Sequence, residues 1–202
     1  MMEFRQLLTK EELTEVQINK IGHLLFETDP FIFPGMCAIE DCSLLGKLCT
    51  TGEDPIFALH NCFIAEEDGR ILGLILWHEG PVYWNPAPLV QLARQEEIRL
   101  SPNINLVWNN YFREYETVPS GVISIMNVCV DPTSRNCGIG TNLLRAFIAQ
   151  HINQSMELYV LSDNDVAIQL YCNAGFIVDK DDLSAFTPNN DQSVRCKKMI
   201  RF

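Results

Sequence analysis

The chain has 202 residues, 47% of them apolar and 20% charged, which is long enough to bury one generous core and too apolar for a disordered or fibrous protein. Fifteen basic against 26 acidic residues leave a formal charge of -11 and a pI near 4.7, the wrong sign for coating a polyphosphate, so no nucleic-acid partner is expected. No window approaches the roughly 18 apolar residues that span a bilayer, so no membrane segment is read and a cytoplasmic location is expected.

From the N-terminus, Phe4 to Leu8 reads as a short strand. Thr9-x-x-Glu12 has capping-box form and opens a predicted helix whose apolar positions include Val16, Ile18, Ile21, Leu24 and Leu25 and which stops at Asp29-Pro30. An aromatic, proline-broken loop follows, and Ala38 to Leu48 reads as a second helix. Asn61 to Glu66 and Ile71 to Trp77 are apolar runs joined across Asp68-Gly69, a strong hairpin signal. Residues 78–120 carry turn prolines and two predicted helices, Leu89 to Ile98 and Asn103 to Tyr115, without linker composition, so they are read as an insertion within a single domain, 1–202.

Val122 to Val130 is almost free of charge and apolar on both faces, as a central buried strand should be. A turn, Asp131 to Cys137, leads into a helix with Ile139, Leu143, Leu144, Phe147 and Ile148 on one stripe, and Met156 to Leu161 is the next strand. Strand, helix, strand in that order predicts a right-handed crossover between parallel strands. A last helix, Asp165 to Ala174, is started by Ser162 or Asp163 and stopped by Gly175, with closing strands at Phe176 to Val178 and Ser193 to Ile200.

The eight cysteines never form C-x-x-C and are read as reduced. Cys37, Cys42, Cys49 and Cys62 with His23 or His60 lack the paired close spacings of a zinc site, so no metal is expected.

The chemistry concentrates at Arg135-Asn136-Cys137-Gly138-Ile139-Gly140, where a buried strand turns into a helix. Such a helix start presents backbone N–H groups without intrahelical partners, glycine lets an anion approach, and Arg135 adds a charged donor, so a phosphate group is the expected ligand. A dinucleotide fingerprint needs a third glycine where Leu143 stands, and no P-loop G-K-[ST] follows.

Arginine, two residues, glycine, one residue, glycine resembles the central signature of the GNAT superfamily of acetyl-CoA-dependent N-acyltransferases. Val128-x-Val130-x-Pro132 before it and Asn164-x-x-Ala167-x-x-Leu170-Tyr171-x-x-x-Gly175-Phe176 after it are similar to that family's approach strand and later helix. The resemblance implies an α/β fold with a mixed central β-sheet flanked by helices and, here, a helical insertion between the third and fourth strands. It implies acetyl-CoA as cosubstrate and a primary amine of a small molecule or peptide as acceptor, reacting by direct attack in a ternary complex. Carried over by position, the main chain of Val128, Cys129 and Val130 would bond the pantetheine arm. Asn136, Cys137, Gly138, Ile139, Gly140 and Thr141 would wrap the pyrophosphate, Asn164 would lie near the pantetheine, and Tyr171 would protonate the departing thiolate.

The reaction also needs an oxyanion donor, expected from the N–H of Val128 or Cys129, and a neutral amine. The polar side chains of the central strand are Ser124 and Asn127, neither a base, so a water relay served by His78, Glu79, Glu114 or Glu116 is expected. The missing strand carboxylate motivates the alternative of a non-catalytic acyl-CoA-binding regulatory or sensing module. The insertion aromatics Tyr83, Trp84, Trp108, Tyr111 and Tyr115 suit either walls of an acceptor pocket or a homodimer contact.

Overall fold

Among the described residues, seven strands form one sheet in the order β1-β2-β3-β4-β5-β7-β6. The computed structural model describes residues 1–102, 104, 116–185, 187 and 193–202. The strands are β1 (Met2–Gln6), β2 (Cys62–Glu67), β3 (Arg70–Glu79), β4 (Ile123–Val130), β5 (Met156–Leu161), β6 (Ile177–Ser184) and β7 (Arg195–Arg201). Neighbours run antiparallel except β4 and β5, which are parallel as the crossover requires. Among the described residues the α-helices are α1 (Glu15–Phe26), α2 (Ser43–Thr51), α3 (Ala87–Gln95), α4 (Ile139–Gln150) and α5 (Asp165–Asn173).

Two cores lie on the two faces of the sheet. Ile21, Leu24 and Leu25 of α1 and Leu44, Leu45 and Leu48 of α2 pack with Ile64, Leu74, Leu76 and Cys129 on one face. Leu143, Leu144 and Phe147 of α4 and Tyr171 of α5 pack with Phe63, Ile75, Trp77 and Ile125 on the other. The α1–α2 crossing is close because two glycines meet it: a Cβ on Gly22 would lie 2.2 Å from the Cys42 carbonyl oxygen and one on Gly46 1.9 Å from that of Ile18.

Several boundaries differ from the sequence reading. The capping box that starts α1 is Thr14 with Gln17, whose backbone N–H donates to Thr14 Oγ1 at 3.3 Å while Gln17 Oε1 accepts from the Thr14 N–H at 2.9 Å. Thr9 and Glu12 instead bracket one 3-10 turn, Lys10–Glu12, and Val16 is 78% exposed. The predicted second helix is a 3-10 turn, Ile39–Asp41, followed by α2. α5 is capped not by Ser162 or Asp163 but by Asn164, whose Oδ1 accepts from the Ala167 N–H at 3.1 Å. β6 runs much further than Phe176 to Val178, as a polar edge strand.

Of the residues 78–120, the described helix α3 packs on α2. Leu89 and Ala93 of α3 are buried in the α1–α2 core, Lys47 pairs with Glu96, and the Ser101 N–H reaches the Met36 carbonyl at 2.8 Å. The expected helix Asn103 to Tyr115, with Trp108, Tyr111, Glu114 and Tyr115, lies outside the described residues.

One irregularity positions the site. Leu76 of β3 pairs with Asn127 but Trp77 with Ile125, so Met126 is an extra residue, a β-bulge. Ile123 and Ile125 pack with the α4–α5 core, yet so do Val128 and Val130, because the bulge shifts the alternation by one. Pairing of β4 with β5 covers only Ile123–Ile125 against Met156–Leu158, and past Ile125 no β4–β5 pair is formed.

Candidate active site

Where β4 and β5 cease to pair, a cleft of about 160 Å³ opens. Met126, Asn127 and Val128 face Tyr159, Val160 and Leu161 across it. It reaches both sheet faces: Thr28, Asp29, Phe31 and Ile32 line it beyond the end of α1, and Asn164, Ala167 and Tyr171 on the α5 side. Ser184, Ala185 and Cys196 border it from the last two strands.

The register of β4 decides which backbone groups face this cleft. The Asp131 N–H donates to the Leu72 carbonyl of the neighbouring β3 chain at 2.9 Å, and alternation from there sends the N–H and C=O of Cys129 and Asn127 toward β3. Those of Val128 and Val130 point the other way, toward the opening. Of the two expected oxyanion donors, Val128 is therefore aimed at the cleft and Cys129 is not. Burial pushes the Cys129 thiol up to about 11, so it is a packing group rather than a nucleophile.

The turn after β4 is firmly built. Asp131 Oδ1 accepts from the Thr133 N–H at 3.0 Å and its hydroxyl at 2.9 Å, and the same carboxylate pairs with Lys20 of α1. Burial works to raise the Asp131 pKa, but the Lys20 and Thr133 hydrogen bonds outweigh it and hold the group at about 2. Asn136 (φ 62°) and Gly138 (φ 77°) are both left-handed, and Gly138 is the N-cap of α4. The first helical bond runs from the Asn142 N–H to the Gly138 carbonyl at 3.0 Å, so the N–H groups of Ile139, Gly140 and Thr141 have no acceptor within the helix. Asn136, Cys137 and Gly138 are exposed in front of them. Exposed N–H groups at a helix start can receive an anionic group, and a Cβ on Gly138 would meet nothing nearer than Asn142 Nδ2 at 4.0 Å, so its glycine answers to φ. Gly140 answers to packing, since a Cβ there would sit 3.3 Å from Val130 Cγ2. Arg135 donates through Nε to the Val130 carbonyl at 3.1 Å and lies 3.7 Å from Glu27, tying the turn to the end of β4 with its guanidinium half exposed.

Tyr171 is 8% exposed, with its ring against Phe176 at 6.0 Å and its hydroxyl without a protein hydrogen-bond partner among the described residues. Burial raises its pKa well above the ordinary phenol value, so it stays protonated. Asn164 lines the same end of the cleft while capping α5.

Of the bases expected from sequence, His78, Glu79 and Glu116 lie elsewhere. His78 is buried with Nδ1 2.9 Å from the Gly80 carbonyl, and burial holds it down at about 4, hence neutral at pH 7. Glu79 is exposed and accepts from Gln154 at 3.0 Å; Glu116 is exposed. None of the described insertion residues lines the cleft. Among the described residues the acid that lines it is Asp29, which the sequence reading used only as a helix stop. Its Oδ1 accepts from the backbone N–H of Phe31 at 2.7 Å and of Ile32 at 2.8 Å. Burial pushes its pKa up against those two hydrogen bonds. Thr28 beside it accepts from Asn127 Nδ2 at 2.7 Å, fastening the end of α1 to the bulged strand.

All eight cysteines are free thiols, only Cys137 and Cys172 exposed. Among the described residues no helix is long and apolar enough to cross a membrane, and no group of three His, Cys, Asp or Glu could hold a metal ion.

No curated protein matches the chain by sequence. In fold it is similar to an N-acetyltransferase from Staphylococcus aureus Mu50, with a TM-score of 0.63 at 15% identity over 98% of this chain and 99% of that one. It is also similar to the ribosomal-protein-S18-alanine N-acetyltransferase from Escherichia coli (TM-score 0.55, 15% identity, 100% and 93% covered). A third solved relative is a chain of the NatC complex bound to Gag peptide and CoA (TM-score 0.56, 16% identity, 99% and 97% covered). The model of the acetyltransferase (GNAT) family matches residues 33–176, which hold the bulged strand, the glycine turn and Tyr171 together, and the chain belongs to that family.

Proposed function

We propose that the chain is an N-acetyltransferase that carries an acetyl group from acetyl-CoA to a primary amine by direct attack in a ternary complex. The observation that carries this reading is the cleft itself. It meets both faces of the sheet at one strand edge, so two substrates can approach the Val128 backbone from opposite sides.

Acetyl-CoA supplies an activated thioester; the chain's residues hold and polarise it. The N–H groups of Ile139, Gly140 and Thr141, at the positive end of α4, suit the pyrophosphate. Val128 and Val130 offer the pantetheine arm main-chain partners, much as an added strand would. The Val128 N–H is the donor for the developing oxyanion. Tyr171 donates a proton to the sulfur as the carbon–sulfur bond breaks and the carbon–nitrogen bond forms, and the nitrogen gives up a proton in exchange.

Isothermal calorimetry with acetyl-CoA should give a saturable signal, and its absence would remove the proposal. Tyr171→Phe should lower turnover roughly 10²- to 10⁴-fold with acetyl-CoA affinity unchanged, read from thiol release at saturating amine.

A further inference from the structure

Resting on the acetyltransferase reading, the composition of the cleft narrows the acceptor. Asp29 is the sole charged side chain among the described residues that line it; no lysine, arginine or histidine does. The carboxylate is fixed rather than flexible. Pro30 holds the chain in a turn, and the Phe31 and Ile32 N–H groups bind Oδ1, which leaves Oδ2 without a protein donor among the described residues. The neighbouring polar groups are committed to one another: Asn127 donates to Thr28, whose hydroxyl donates to the Leu25 carbonyl at 2.6 Å. Phe31, Ile32, Met126 and Val160 make the adjoining walls apolar.

A fixed carboxylate with one open oxygen, in a cleft where no described residue is a cation, attracts an ammonium group and repels a second anion. We infer that Asp29 is the specificity-determining residue of the acceptor site, and that the acceptor is a primary amine on an uncharged, apolar body. Amino acids with a free carboxylate and phosphorylated amino sugars are disfavoured, since none of the described residues that line the cleft would neutralise their anionic group.

Phenethylamine and phenylalanine test this directly, because they share ring and amine and differ by one carboxylate. Thiol release should give phenethylamine a kcat/KM at least a hundredfold above that of phenylalanine. Asp29→Asn keeps an oxygen for the two backbone N–H groups and removes the charge. It should raise the KM for phenethylamine roughly ten- to a hundredfold, the equivalent of one charge-assisted contact, with calorimetric acetyl-CoA affinity unchanged. A merely structural Asp29 would move acetyl-CoA affinity as well. Phenylalanine used as well as phenethylamine, acetyl-CoA bound but neither amine acetylated, or an unmoved KM in the variant would each overturn the inference. The first two measurements need only the unaltered chain, so a variant that failed to fold would not protect it. Failure to bind acetyl-CoA at all would overturn the acetyltransferase reading instead.

Discussion

Asp29-Pro30-Phe31-Ile32 and Asp54-Pro55-Ile56-Phe57 each follow a helix, and in each the aspartate Oδ1 accepts from the backbone N–H groups two and three residues on, at 2.7 and 2.8 Å in the first and 2.8 Å twice in the second. Burial raises both acids above the ordinary carboxylate pKa. They part company at the other oxygen. Asp54 is 1% exposed, and the Trp84 indole donates to its Oδ2 at 2.6 Å while the Trp84 ring leans on Phe57 at 6.1 Å. Asp29 lines the cleft with no such donor among the described residues. Identical local chemistry thus makes a structural clasp where a distant donor arrives and a recognition group where none does.

That contrast can be broken by substitution. Asp54→Ala strands three buried donors, the N–H groups of Ile56 and Phe57 and the indole of Trp84, and should lower the unfolding free energy by more than about 3 kcal/mol in urea titration. A comparable loss for Asp29→Ala would show the two turns to be equivalent. Trp84→Phe keeps most of the ring contact and removes one charge-assisted bond, so a loss of about 2 kcal/mol is expected by the same titration. The smallest effect is one of sign. Because the folded state raises the Asp29 pKa, it binds the proton more tightly than the unfolded chain. The resulting stabilisation is present below the unfolded pKa and is lost as pH rises through the folded value. Asp29→Asn lacks this titration, so its stability relative to the parent should be more favourable at pH 7 than at pH 3.

These two turns also mark how far the sequence could be read. The β4 to β5 crossover was legible because its strands are largely apolar runs on either side of an amphipathic helix, and the β2–β3 hairpin because Asp68 (φ 49°) and Gly69 (φ 77°) form the turn their dipeptide advertises. Gly175 (φ 91°) likewise ends α5 where expected. The start of α1 was misplaced because Thr9-x-x-Glu12 and Thr14-x-x-Gln17 offer the same signal five residues apart, and only the second leads straight into helix. Trp84, read as a flat wall for an acceptor or an interface, instead packs on Phe57, since its partner Asp54 lies 30 residues away in the chain. Asp29 was passed over for the converse reason. Nothing in Asp-Pro distinguishes a carboxylate whose second oxygen will be met from one whose second oxygen will not.

The extra residue Met126 leaves a mark that can be looked for without any coordinates. On the face toward α4 the strand reads Ile123, Ile125, then Val128 and Val130, so the spacing of inward residues goes two, three, two. A strand scored for strict alternation loses half its signal at that slip and passes as uniformly apolar, which is how this one reads. Scored as two short strands half a period out of phase, it would disclose the place where neighbouring chains must part. A phase slip in the strand before a glycine-rich helix start is then a cue to an opening in the sheet, available from one sequence alone. Deleting Met126 would restore the phase, and with it a strand edge free to pair where the cleft now lies.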